Sequence, residues 1–210
     1  MPVMPPESPY SFSFTTGALF VPETLAIARQ FARTPDWKSV AASTRSENLL
    51  RQRTAASTTR MLREIRHRLD ELSPAELDHL VGADPADQRL LLFIAACRRY
   101  RFIAEFTAEV LFPKTHTAET QLYPGDLTRF IDDRSLNAPE VEKLTDKSRA
   151  KVRQVMLRIL AEAGLIDSTS SRKLQRPMPG RTLAGLIAKN DLKQLRWLLL
   201  SEQEIRQITR

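Results

Sequence analysis

Six of the nineteen residues between Arg51 and Leu69 are arginines, and this stretch contains no lysine. A guanidinium group presents a planar set of donors that matches phosphate oxygens two at a time. The stretch begins with the run RQRTAASTTR, and hydroxyl groups are also common donors to phosphates. A second run, TDKSRAKVRQ at residues 145–154, again combines hydroxyl groups with spaced cations. These two basic blocks predict contact with a phosphate backbone.

The charge of the chain is unevenly distributed around its net value of +7. Residues 41–70 carry seven arginines against three acids, and residues 147–176 carry eight basic residues against two acids. Between them, residues 71–97 carry one arginine against five acids, and residues 113–146 carry four basic residues against seven acids. Either the blocks of opposite sign neutralise each other across the fold, or the two basic blocks form surfaces for a polyanion.

The sequence lacks the spacings that catalytic, metal and cofactor sites require. His67, His79 and His116 are scattered, without partners at the spacing of metal ligands. There is no glycine-rich phosphate loop and no nucleophile elbow. The single cysteine, Cys97, ends the apolar run LLLFIAAC, which predicts a buried side chain. We therefore expect no catalytic residue, no metal and no cofactor.

That apolar run is also the longest in the chain, and its eight residues are far fewer than the ~20 needed to cross a bilayer. The N-terminal sequence MPVMPPESPY has neither the basic nor the apolar region of a secretion signal. These features predict a cytoplasmic protein without a membrane partner.

Helical periodicity dominates the sequence, so the predicted fold class is all-α. The first block forms a predicted basic helix over residues 54–72, capped by Ser57, Thr58 or Thr59. One side of its helical wheel is apolar and predicted to be buried: Met61, Leu62, Ile65, Leu69 and Leu72. Arg60 and Arg63 lie opposite this stripe, and Arg66 and Arg68 flank it.

The second block forms a predicted basic helix over residues 147–163, ended by Gly164. Its predicted inner face consists of Val152, Val155, Met156, Ile159, Leu160 and Ala163. Its outer face carries Lys147, Lys151, Gln154 and Arg158, with Arg153 beside them. The following run DSTSSRKLQRP is either a flexible loop or a small β wing. A helix, a stop and a basic turn in this order are typical of a winged helix-turn-helix.

Three further predictions concern the elements around these helices. The alternation of Tyr10, Phe12 and Phe14 predicts a short extended segment, after a loose tail of nine residues. A long apolar helix should run from Pro85 to Pro113, with Arg101 and Glu105 forming an ion pair inside it and with Arg98 and Arg99 reaching solvent. We predict two helical subdomains, residues 1–115 and 116–210.

Four stretches resemble the BrxA family, the small helical component of BREX phage-defence systems. They are YSFSFTTGALF (10–20), ENLLRQRTAASTTRMLREIRHRL (47–69), CRRYRFIAEFTAEVL (97–111) and EKLTDKSRAKVRQVMLRILAEAGLI (142–166). The resemblance implies a compact all-α protein, partly similar to NusB, that binds double-stranded DNA without catalysing a reaction. It also implies a role beside the methyltransferase, ATPase and phosphatase-like subunits of the system.

The candidate DNA-binding residues are those of the two blocks that match the family's stretches: Arg51, Arg53, Arg60, Arg63, Lys147, Arg149, Lys151 and Arg153. Because we expect most of them to contact phosphates, little sequence preference is predicted. Two alternatives stay open. The protein could instead be an adaptor that docks acidic partner subunits, or an RNA-binding module of NusB type.

Overall fold

The computed structural model describes residues 9–117 and 119–208. It confirms the all-α prediction, since most described residues are helical and none lies in a β-strand. The α-helices of the first half are α1 (Val21–Arg33), α2 (Trp37–Ser46), α3 (Ala55–Leu69), α4 (Pro74–Gly82) and α5 (Pro85–Arg99). Those that follow are α6 (Arg101–Phe106), α7 (Phe112–Lys114), α8 (Pro124–Ser135), α9 (Pro139–Glu142), α10 (Asp146–Ala163), α11 (Arg181–Asp191) and α12 (Glu202–Ile208).

Two short 3-10 helices, Ser13–Thr16 and Leu192–Leu198, and one π-helical turn, Thr107–Leu111, complete the secondary structure. Several of the helices begin at a residue whose side chain caps them by hydrogen bonds. Asp36 accepts hydrogen bonds from the first amides of α2, and Ser73 forms a reciprocal capping box with Glu76 at the start of α4. Both caps are residue types that favour helix starts.

Helix α5 is the centre of the core, because it packs against α1, α3, α4, α6 and α10. Its apolar run from Leu90 to Cys97 is entirely buried, and burial raises the pKa of the Cys97 thiol well above its usual value. Cys97 is therefore a packing residue, as predicted. One continuous set of buried apolar side chains includes residues on both sides of position 115, such as Ile94 and Ile159. The division into two subdomains stays a prediction.

The predicted long helix is wrong in one respect, because the chain is extended at Tyr100 (φ −119°, ψ 98°) between α5 and α6. This break places the fully buried Tyr100 ring against Phe14, at a centroid distance of 5.3 Å. The helical path then passes the π-helical turn and continues one residue beyond Pro113. The aromatic contact is made by a residue 86 positions earlier in the sequence, so local periodicity does not predict it.

The prediction of an extended N-terminal segment is also wrong where Ser13–Thr16 forms a 3-10 helix. The Thr15 amide and hydroxyl both donate to the carbonyl oxygen of Phe12, so local hydrogen bonds replace those of a strand. The aromatic side chains nevertheless pack inwards, with the ring of Phe12 5.3 Å from that of Phe102. The predicted tail largely lies outside the described residues.

The run after α10 folds back as a minimal β-hairpin, which decides between the loop and the wing left open by the sequence. The Asp167 amide donates to Lys173, and the Gln175 amide donates to Leu165. On the other side, residues 120–122 bond to residues 172–174 in the same way. Residues 172–174 thus lie between two partners, connected by isolated bridges rather than by full strands.

Candidate nucleic-acid interface

Helix α3 is capped by Thr54, whose hydroxyl accepts a hydrogen bond from the amide of Ser57 at 3.1 Å. The predicted caps were therefore wrong by three to five residues. Thr58 is buried instead, and its hydroxyl donates to the carbonyl oxygen of Thr54. The cap places the preceding arginines, Arg51 and Arg53, directly at the N-terminal end of the helix, where free amides and the dipole attract anions.

The first basic block is open to solvent. Leu62, Ile65 and Leu69 are buried against the core, which turns Arg60 and Arg63 outwards as predicted. Arg51, Arg53, Arg60 and Arg63 are all exposed, and no ion pair joins them to a carboxylate of the described chain. Arg51 also has a left-handed backbone (φ +50°), a conformation that residues with a side chain rarely adopt.

Arg68 has a different role from the one predicted, because it is buried rather than flanking the apolar stripe. Its side chain is 2% exposed, and its Nη1 donates a 2.6 Å hydrogen bond to the carbonyl oxygen of Ala18. The guanidinium also lies over the rings of Phe20 and Tyr100 at 5.5 and 5.6 Å. Burial lowers the pKa of Arg68 to about 10, so the group stays charged at neutral pH.

Arg66, the other residue predicted to flank the stripe, forms an ion pair and a cation–π contact with neighbouring side chains. Its Nε lies 3.4 Å from a carboxylate oxygen of Asp70, and its guanidinium lies 5.2 Å from the ring centre of Trp37. The arginines of this stretch thus divide into those that hold the fold and those that face solvent unpaired.

The second basic block lies on α10. Thr145 caps the helix by accepting from the amide of Ser148, and Gly164 ends it with φ +77°. The complete predicted inner face is buried: Val152, Val155, Met156, Ile159, Leu160 and Ala163. Four side chains share the exposed outer face: Lys147, Lys151, Gln154 and Arg158. The Nζ of Lys151 donates to the amide oxygen of Gln154 at 3.2 Å, which joins two of them.

Arg149 and Arg153 both lie on α10 but differ in their contacts. Arg149 donates to Asp132 at 3.0 Å and to the carbonyl oxygens of Leu144 and Val141 at 3.2 and 3.4 Å. These bonds tie α10 to the elements before it. Arg153 is half-buried and forms no ion pair with the described carboxylates.

The two blocks adjoin a single piece of chain, the N-terminal segment of residues 13–19. On one side the hydroxyl of Ser13 donates to Glu64 of α3 at 3.3 Å, and Arg68 holds the carbonyl of Ala18. On the other side the amide of Leu19 donates to Glu162 of α10 at 2.8 Å. Because these bonds fix the segment between the two helices, the exposed basic faces are parts of one rigid arrangement.

Two hollows lie side by side on α10 and share Lys151 and Gln154. The first, of about 480 Å³, is lined by α10, by Thr15–Ala18 and by Thr169 of the hairpin. The second, of about 560 Å³, lies on the face of the helix itself and includes Lys147. Cations and hydroxyl groups are thus gathered along one side of this helix.

A larger cavity of about 640 Å³ lies elsewhere, beside Tyr10, and its cations are already matched by carboxylates. The predicted Arg101–Glu105 pair is confirmed at 2.5 Å. Arg134, which the sequence analysis missed, also pairs with Glu105 at 2.8 Å. Burial and the bond to Glu105 raise the pKa of the Tyr10 hydroxyl, which donates to that carboxylate. Two arginines of the lining thus face three carboxylates, Glu105, Glu109 and Glu140, so the cavity offers no excess positive charge.

The prediction that Arg98 reaches solvent is wrong. Its side chain is 7% exposed and forms a 2.7 Å bond to Glu76, the capping-box partner of Ser73, while Arg99 remains exposed. The histidines do not converge, and the described chain contains no group of residues that could hold a metal ion. His79 approaches Asp87 at 3.4 Å, and His116 lies against the ring of Phe112.

Comparison of the sequence with known protein families identifies the family of this chain. The model of the BrxA family matches residues 8–191, which include the N-terminal segment, both basic blocks and the hairpin. The chain belongs to the BrxA family. The match covers most of the described chain, so the resemblance of the four quoted stretches is confirmed.

Two curated members of the BrxA family are similar to this chain. The BREX protein BrxA of Escherichia coli O9:H4 (strain HS) is 24% identical over 159 residues, covering 76% of this chain and 75% of its own. The BREX protein BrxA of Bacillus cereus (strain H3081.97) is 25% identical over 134 residues, covering 63% of this chain and 67% of its own. Membership of this family supports a role in a BREX system.

The fold also matches a solved structure. A crystal structure of an uncharacterized protein from Magnetospirillum magneticum superposes with a TM-score of 0.78 at 18% identity, covering 91% of this chain and 98% of that one. At this identity the likeness establishes the fold alone. Within the described residues, no helix has the length and apolarity to cross a membrane.

Proposed function

We propose that this protein is a non-catalytic accessory subunit of a BREX system that binds double-stranded DNA through the phosphate backbone. The observation that carries the proposal is the division of the basic residues into two groups. Arg68, Arg98, Arg101, Arg134 and Arg149 are committed to carboxylates or carbonyl oxygens of the fold. Seven other cations of the two blocks form no ion pair with the described carboxylates, although unpaired cations repel each other: Arg51, Arg53, Arg60, Arg63, Lys147, Lys151 and Arg153.

The proposed contacts are Arg51, Arg53, Arg60 and Arg63 of the first block and Lys147, Lys151 and Arg153 of the second. Arg149, the eighth candidate, would have to break its bonds to Asp132 and two carbonyl oxygens before reaching a phosphate. We therefore assign it to holding α10 in place. Side chains of this kind, together with hydroxyl groups and helix N-termini, make the majority of protein contacts to the DNA backbone.

The order of elements around α10 supports the proposal independently. Residues 120–122 are followed by α8, then by α10 as the next long helix, and then by the hairpin of residues 165–175. A winged helix-turn-helix has the same order, and its second helix enters the major groove. By this analogy α10 would present Lys147, Lys151 and Gln154 to the DNA, with the hairpin as the wing.

The test is a salt-titrated binding measurement with a labelled DNA duplex. If about five phosphates are neutralised, log K should fall against log salt concentration with a slope of about −4 to −5. The double variant Arg60→Ala/Arg63→Ala should bind all sequences more weakly and flatten this slope by about 2. The matched control is Arg181→Ala/Lys189→Ala, which removes the same charge from exposed positions on α11 and should leave the slope unchanged.

Two other outcomes would contradict the proposal. An adaptor for acidic subunits would co-purify with them while showing little affinity for bare duplex at physiological salt. An RNA-binding module would lose the labelled duplex to RNA competitor at lower concentration than to unlabelled duplex.

Retention of full duplex affinity by the Arg60→Ala/Arg63→Ala variant would remove the first block from the site.

A further inference from the structure

We infer that the hollow between α10, the N-terminal segment and the hairpin seats one strand of the bound duplex, with Thr16 and Thr169 contacting its phosphates. This inference rests on the proposed function and deepens it. It adds to the interface the N-terminal segment, which belongs to neither basic block. It also gives the DNA backbone a defined path beside α10.

The first argument is the chemistry of the lining. The hollow presents the ammonium of Lys151, the guanidinium of Arg158 and the side chains of Thr15, Thr16 and Thr169, and no carboxylate lines it. Glu162 lies just outside and pairs with Arg158 at 2.8 Å. In protein–DNA interfaces, phosphodiester oxygens accept hydrogen bonds from such cations and hydroxyl groups.

The second argument is that this wall is rigid before any ligand arrives. The segment is held at Ala18 by Arg68, at Leu19 by Glu162 and at Thr15 by the carbonyl oxygen of Phe12. The hairpin that carries Thr169 is likewise closed by the backbone bonds of Asp167 and Gln175. A site that is already ordered loses less conformational entropy on binding, so its contacts contribute more fully to affinity.

The third argument is position. Lys151 and Gln154 line this hollow and also the neighbouring one on the face of α10, so the two form a continuous surface. If α10 lies in a major groove, the strand that borders the groove must run along one flank of the helix. Thr16 and Thr169 are the exposed residues that stand on this flank and come from outside α10.

The test places charges at these two threonines and measures duplex affinity at low salt. Thr16→Glu and Thr169→Glu should each weaken binding about tenfold, because a carboxylate would face the phosphates. Thr16→Lys should tighten binding and steepen the salt slope by about 1. The matched control is Thr182→Glu, an exposed threonine on α11, which should change the affinity less than twofold. Thermal unfolding of each variant verifies that the fold is kept.

The outcomes separate this inference from the proposed function. If the wild-type protein fails to bind duplex, the proposed function itself is wrong. If the wild type binds and Arg60→Ala/Arg63→Ala weakens binding, but the three variants at Thr16 and Thr169 behave like Thr182→Glu, the strand does not pass through this hollow. The inference is likewise overturned if Thr16→Glu or Thr169→Glu abolishes binding to a protein partner while the affinity for duplex stays unchanged.

Discussion

The guanidinium of Arg68 donates a 2.6 Å hydrogen bond to the carbonyl oxygen of Ala18, fifty residues earlier in the chain. The remaining donors of this buried group are poorly satisfied: Nε and Nη2 have no hydrogen-bond partner within the described structure, and Nη2 lies 3.8 Å from the buried Glu64. A charged group in this position is costly unless its partners remain, so Arg68, Glu64 and the N-terminal segment depend on one another.

We predict that Arg68→Met lowers the free energy of unfolding by about 3–5 kcal/mol, because it leaves the Glu64 carboxylate buried and unpaired. Equilibrium urea denaturation measures this loss. Arg66→Ala on the same helix, whose side chain is 51% exposed, should stay within about 0.5 kcal/mol of the wild type. Equal effects of the two substitutions would show that the contact with Ala18 contributes nothing to stability.

The buried pair of Glu76 and Arg98 predicts a dependence of stability on pH. Burial alone would raise the pKa of Glu76, but the bonds from Arg98 and Ser73 outweigh it and hold the pKa below its usual value. A lowered folded-state pKa stabilises the protein above the unfolded pKa, and this contribution disappears as the pH falls through the folded value. At neutral pH, Glu76→Gln should therefore cost about 2–3 kcal/mol.

The measurement is thermal unfolding of the wild type and of Glu76→Gln between about pH 3 and 7. The difference in Tm between them should be largest above the ordinary carboxyl range and should shrink as the pH falls below it. A difference that is independent of pH would mean that the carboxylate charge is not what stabilises α4.

Arg149 and Arg153 should separate stability from DNA binding. Arg149→Ala removes three bonds that join α10 to α8 and to the residues around α9, so we expect a loss of about 1–3 kcal/mol in unfolding free energy. Arg153→Ala should leave stability nearly unchanged but reduce the salt slope of duplex binding by about 1. Paired denaturation and binding curves test both statements, and the reverse pattern would exchange the roles of the two residues.

Gly164 should be sensitive to substitution although the space around it is empty. Its backbone has φ +77°, and apart from its own chain neighbours nothing lies within 4 Å of the position a Cβ would take, so Gly164→Ala meets only backbone strain. We expect a cost of about 1–2 kcal/mol. Gly125→Ala, at an equally open position within α8, should be neutral or slightly stabilising. Chemical denaturation distinguishes the two.

Much of this structure could be predicted from local sequence. The inner face of α10, the caps Asp36 and Ser73 and the end of α10 at Gly164 all depend on residues within a few turns of each other. The roles of Arg68 and Arg98 could not be predicted in this way. Helical periodicity places Arg68 beside the apolar stripe, but only the folded chain brings the carbonyl of Ala18 to it.

The candidate site shows the same limit. The exposed arginines could be named in advance, because exposure follows from the position of the apolar stripe. The participation of residues 13–19 could not, since the hydrogen bonds that Glu64 and Glu162 accept and that Arg68 donates connect parts of the chain that are far apart in sequence. Arg149 looked like its neighbours on α10 and differs only because Asp132 and two carbonyl oxygens lie within its reach.

The insertion of residues 13–19 between α3 and α10 restricts how the gene can be shortened. A version of the protein that started at Val21 would keep every cation of both blocks, yet it would uncover the rings of Tyr100 and Phe102, which Phe14 and Phe12 now shield. It would also leave the guanidinium of Arg68 without its acceptor. A protein truncated to the residues from Val21 onward should therefore expose apolar surface and be poorly soluble.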